Sequence, residues 1–95
     1  MTKTSKDFVI NDQLRRASLS VMNNIAEGYS RYYNKDKYKF LNYAVSSATE
    51  VISMTYVLED IDFCHLALIE NLRNLAHEVH RTTMAFANYY KTREN

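Results

Sequence analysis

Residues 36–59 read DKYKFLNYAVSSATEVISMTYVLE, and their apolar positions fall into two helical rows rather than one. Leu41, Val45, Ala48, Ile52 and Tyr56 follow the alternating three- and four-residue spacing that lines one helix face. Phe40, Ala44, Ser47, Val51, Met54, Leu58 and Ile61 form a second row beside it. A helix that is apolar on two sides must be covered on two sides. It is therefore either central in its own bundle or shared with a neighbouring subunit. The segment predicts a helix over 36–59 with Asn34 as its N-cap, and it is the strongest hint of oligomerisation in the sequence.

Upstream, Ile10, Leu14, Ala17, Val21 and Ile25 make one stripe and predict a helix over 10–29. Asn11 or Asp12 would cap its start, and Gly28 sits where a left-handed residue would end it. Residues 1–9 read as irregular, and Tyr29-Ser30-Arg31-Tyr32-Tyr33 as the connection. Downstream, Leu68, Leu72, Leu75, Val79, Phe86 and Tyr90 predict a helix over 64–91, with Asp62 as its cap. The chain has no proline and one glycine in 95 residues, so it lacks the punctuation of a sheet with many tight turns. The expected fold is all-α: one domain over 1–95, an up-and-down bundle of three long helices.

No apolar run approaches the ~20 residues that cross a bilayer, and Met1 to Asp12 holds no signal core. A soluble, cytoplasmic protein is expected. Cys64 stands alone, cannot form an internal disulfide and reads as a small apolar filler. His77 and His80 share a helix face, but Cys64 and His65 lie ~18 Å away along the same predicted helix. A closed metal site needs about four ligands, so no metal or cofactor is expected.

The net charge of +1 hides three blocks. Residues 13–39 carry Arg15, Arg16, Arg31, Lys35, Lys37 and Lys39 against Glu27 and Asp36, a balance of +4. Residues 40–72 contain no lysine or arginine and carry −5, and residues 73–95 return to +2. Such blocks steer a polyanion to the basic stretch or one subunit to another. Within the first block, Arg31-Tyr32-Tyr33-Asn34-Lys35-Asp36-Lys37-Tyr38-Lys39 has the character of a nucleic-acid contact: cations neutralise phosphates and tyrosines stack on unpaired bases. The alternative is a solvated helix start with tyrosines packed at a subunit boundary. Arg15 and Arg16 extend the basic set.

The run Gln13-Leu14-Arg15-Arg16-Ala17, then Ser20, Asn24-Ile25-Ala26-Glu27-Gly28 and Arg31, resembles the signature of the four-helix-bundle family encoded in intervening sequences of large-subunit ribosomal RNA genes. The accessory variability protein of diversity-generating retroelements is in the same family. The match continues in register through Phe40-Leu41, Ala44, Ser47 and Glu50. It departs at Ser46, where the family tends to have glycine, and at Lys37, where it tends to have an aromatic. Only twelve mostly polar residues precede Gln13, so the first of the four helices is expected to be missing. The resemblance implies a bundle that assembles into a ring, typically a homopentamer, with no enzyme activity. Its retroelement relative looks like a partner of nucleic acid and reverse transcriptase. A missing helix would leave a groove open to a neighbour or another protein.

Asn24, Glu27, Arg31, Ser47 and Glu50 also have a physical reading of their own. Glu27 and Arg31 stand one helical turn apart, and Ser47 and Glu50 are expected on the inner part of the second helix. Carboxylates beside an apolar stripe need a donor, which Arg16 or Arg31 can supply. The set reads first as a structural network or subunit contact and second as a binding site. No nucleophile, phosphate-cradling loop or metal-spaced set accompanies the two glutamates, so no enzyme activity is expected.

Overall fold

A computed structural model describes residues 5–93, with side chains from residue 8 onward. It contains three helices, α1 (Ser5–Ser30), α2 (Asn34–Asp60) and α3 (Leu66–Lys91), and no strand among the described residues. The all-α bundle expected from the periodicity is therefore the fold. No helix among the described residues is long and apolar enough to cross a membrane.

The first helix begins earlier than its stripe: residues 5–9 are helical rather than irregular, while residues 1–4 lie outside the described region. Extending an existing helix costs far less than nucleating one, so it runs past the last apolar anchor, Ile10. Asp12 consequently sits inside α1 and pairs with Arg15 at 3.2 Å and Arg16 at 3.0 Å instead of capping.

Both rows of α2 are covered within the chain. It packs against α1 on one side and α3 on the other, while contacts between α1 and α3 are sparse. Ala17, Val21, Ala48, Val51 and Ala76 form one buried cluster in which all three helices meet. Ile10, Met54, Leu58 and Ile69 form a second, towards the α2–α3 turn. Alanines at the contacts, including Ala44 and Ala87, let the backbones approach closely. The molecule is an elongated body of 54 × 22 × 14 Å, with α2 as the floor of a trough and α1 and α3 as its walls.

On α3 only part of the stripe read from the sequence faces the core: Leu72 and Val79 pack on it and Tyr90 is half-buried. The buried residues are Ile69, Ala76, Thr83 and Ala87, whereas Leu68, Leu75 and Phe86 are exposed. Small side chains make the tight contact with α2, which rotates the larger ones onto the rim of the trough.

The helix ends also differ from the expected caps. Gly28 is helical, with no positive φ, and is buried; a Cβ there would stand 3.2 Å from Leu41 Cγ and 3.5 Å from the Lys37 carbonyl. It serves close approach of α1 to α2. The end of α1 is instead closed by Lys37, whose Nζ donates to the carbonyls of Tyr29 at 3.2 Å and Gly28 at 3.5 Å. Tyr33, not Asn34, is the N-cap of α2, and His65 that of α3; neither makes a side-chain cap bond. Asp62 does not cap α3 but ends α2, with φ 53°. Its N–H donates to Glu59 O at 3.1 Å and that of Phe63 to Leu58 O at 3.0 Å, while Phe63 packs on the cluster containing Leu58. Cys64, in the same turn, is exposed rather than a filler.

Candidate functional site

The residues singled out in the sequence separate into three places. Ser20 Oγ and Ser47 Oγ lie 2.7 Å apart across the α1–α2 contact, and Asn24 Nδ2 donates to Ser20 O at 2.8 Å and Ser20 Oγ at 3.1 Å. This half-buried seam satisfies each hydroxyl and fixes the register of α1 on α2. Glu50 is exposed and is not part of it.

Glu27 and Arg31 form an exposed pair at 3.2 Å along α1, and Ser30 Oγ donates to Glu27 Oε2 at 3.2 Å. The Arg31 guanidinium also lies 4.6 Å from the Phe40 ring centre. Neither Arg16 nor Arg31 reaches a carboxylate on another helix; that part belongs to Arg73, which the sequence reading passed over. Arg73 on α3 donates to Thr55 Oγ1 at 2.9 Å, to Thr55 O at 3.3 Å and to Glu59 Oε1 at 2.7 Å, and lies 3.8 Å from the Tyr56 ring centre. Its isolation was the available signal: it is the first cation after 33 residues with no lysine or arginine.

The third place is the end of the bundle where the α1–α2 turn meets the last turn of α3. Because α3 runs antiparallel to α2, Lys91 reaches within 5.9 Å of the Tyr38 ring centre, and Lys37 within 5.7 Å of that of Tyr90. Arg93 stacks on Tyr89 at 3.8 Å and Lys39 lies over Phe40 at 5.4 Å. Arg31, Lys35, Lys37, Lys39, Lys91 and Arg93 thus gather against Glu27 and Asp36, a balance of +4. Six of the eight tyrosines share this end: Tyr29, Tyr32, Tyr33, Tyr38, Tyr89 and Tyr90. Tyr32 is 84% exposed and Tyr33, edge-on to it at 5.1 Å, is also exposed, so ring faces are available for stacking. Lys37 is committed to closing α1. Arg15 and Arg16 are not brought here: Arg16 lies ~22 Å along α1 from Arg31.

The opposite end carries Glu59, Asp60, Asp62 and Glu70, of which Glu59 is paired with Arg73. Between the two ends runs the trough. One cavity of about 310 Å³ is lined by Ile25, Tyr29, Leu41 and Phe86 among others, and a second of about 250 Å³ by Val21, Met22, Ala48 and Val51. Leu75 and Val79 line both, so the cavities are neighbouring parts of one apolar channel. Its lining is predominantly apolar. Among the described residues no three histidine, cysteine or acidic side chains are placed to hold a metal ion.

No curated protein and no solved structure matches the chain. The model of the 23S rRNA-intervening sequence protein family matches residues 1–85, which takes in all of α1 and α2, the turn after α2 and most of α3. The chain is a member of the 23S rRNA-intervening sequence protein family.

Proposed function

We propose that this protein is a non-catalytic, self-associating helical adaptor of the cytoplasm whose basic, tyrosine-rich end holds a nucleic-acid strand. The observation that carries the reading is the meeting of Lys91 and Tyr90 at the end of α3 with Tyr38 and Lys37 in the first turns of α2, which puts Tyr89 and Arg93 at the same end as Arg31, Tyr32, Tyr33, Lys35 and Lys39. Cations beside open ring faces suit a single strand, whose phosphates and unstacked bases are both accessible. A net charge of only +1 keeps one subunit's binding weak, and self-association multiplies it. Retention of labelled RNA and DNA oligonucleotides at low salt tests the reading. Charge reversal at Arg31, Lys35 and Lys39, with Lys37 left in place because it closes α1, is expected to weaken retention and flatten its salt dependence; absence of retention by the unmodified protein contradicts the reading.

The trough favours a second reading, a purely protein-binding helper that accepts a partner's helix. A nucleic-acid enzyme such as a reverse transcriptase joins the two readings, since it brings both an apolar surface and a bound strand. Partner capture at high salt separates them, because apolar contacts persist where phosphate contacts are screened.

A further inference from the structure

The second half of α3 carries a surface that the basic end alone does not account for. Arg81, Ala85 and Tyr89 stand four residues apart in one column, which Arg93 extends just past the helix end, and Thr82, Phe86 and Tyr90 form the column beside it. Along these columns runs an open groove of about 690 Å³ lined by Arg81, Thr82, Ala85, Phe86, Tyr89 and Tyr90. Ala85 is its low point, since a single methyl leaves room between Arg81 and Tyr89, one helical turn to either side. Phe86 is 45% exposed and Tyr89 49%, so both offer ring surface to a ligand.

The charge of this stretch has one sign. Residues 79–93 contain no acidic residue and hold Arg81, Lys91 and Arg93. Glu78, one turn before Arg81, lines the neighbouring trough cavity rather than this groove. Arg81 pairs with no carboxylate among the described residues. The groove also reaches the basic end, where Tyr90 lies 5.7 Å from Lys37 Nζ and Arg93 stacks on Tyr89 at 3.8 Å.

We propose that the α3 groove takes unpaired bases of the strand held at the basic end, so that the site continues from Arg93 along α3 to Arg81. The inference rests on the nucleic-acid reading above and adds to it a path and a class of ligand: a single strand, not a duplex. Arg81 and Arg93 stand about 18 Å apart along the helix direction, a span for the phosphates of a few nucleotides whose bases lie over Ala85 and against Phe86 and Tyr89. A duplex keeps its base faces stacked on one another, so only an unpaired strand engages both the cations and the rings.

A labelled oligouridylate of about 12 nucleotides carrying 4-thiouridine is bound at low salt, irradiated and digested with trypsin. Cleavage after Arg81 and Lys91 releases residues 82–91 as one peptide, which contains Phe86, Tyr89 and Tyr90. The main cross-link is expected on that peptide. Arg81→Gln, at an exposed position, should weaken binding about three- to tenfold and lower the salt slope by about one. Phe86→Ala should weaken it about fivefold or more, with helical content retained by circular dichroism. A duplex of the same length should bind at least about tenfold less tightly, and an oligothymidylate titrated in parallel tells RNA from DNA as the source of the strand. Cross-links confined to residues 32–35, with Arg81→Gln binding as tightly as the unmodified protein, overturn the α3 path and leave the basic end standing. Equal binding of the duplex overturns the single-strand class. No binding of any strand by the unmodified protein at low salt overturns both the path and the reading it rests on.

Discussion

Arg73 Nε donates to Thr55 Oγ1 across 2.9 Å, and Thr55 is fully buried where α2 meets α3. The guanidinium is itself half-buried, stacked on Tyr56, and its second nitrogen reaches Glu59 at 2.7 Å. One side chain thus ties α3 to three residues of α2, the buried Thr55 and the exposed Tyr56 and Glu59. A planar fork can do this and a point charge cannot.

Replacing Arg73 with alanine is expected to lower unfolding stability by about 2 kcal/mol, since hydrogen bonds to a charged group and a ring contact are lost together. Arg73→Lys should recover less than half of that. Thr55→Val should cost about 1 kcal/mol, because it leaves Arg73 Nε without its partner. Urea denaturation of the single and double variants gives the coupling; strict additivity would contradict the geometry.

At the α1–α2 seam, Ser47→Ala removes the hydroxyl 2.7 Å from Ser20 Oγ, yet Asn24 still engages Ser20. The expected loss is below about 1 kcal/mol. Ser47→Leu forces bulk into the close approach and should cost about 1–3 kcal/mol, read from the same denaturation curves. A tolerated leucine would mean that the seam does not set the helix spacing.

The turn after α2 holds a non-glycine residue in the left-handed region, Asp62 at φ 53°. Asp62→Gly should stabilise the protein by up to about 1 kcal/mol by relieving that strain. His65→Ser, which gives α3 the side-chain cap it lacks, should add about 0.5–1 kcal/mol. Melting temperatures of the two variants and their combination are expected to rise additively.

The fold was legible where apolar spacing alone decides it. The stripe of α1 from Ile10 to Ile25 is buried or half-buried throughout, and the double row of α2 correctly required cover on both sides. That cover is internal, however, so the double row is not what calls for another subunit. The unpartnered surface lies on α3, where periodicity pointed to Leu68, Leu75 and Phe86 as core. Spacing identifies an apolar face but not which of two adjacent faces meets the neighbour; here Ala76, Thr83 and Ala87 won because small residues permit the closer contact. The basic end was half legible. Arg31 to Lys39 are contiguous in sequence, whereas Lys91 and Arg93 join them only through the antiparallel pairing of α2 and α3.

The central claim, that this end holds a nucleic-acid strand, is tested most directly by fluorescence anisotropy of a labelled single-stranded RNA titrated with protein at several salt concentrations. Lys35→Glu with Lys39→Glu and Arg93→Glu, all exposed positions outside the core, is the discriminating variant. The account predicts binding at low salt that weakens steeply as salt rises, and a loss of at least about tenfold in the variant. Equal affinity of the variant and the unmodified protein, or no binding by either at low salt, would contradict it.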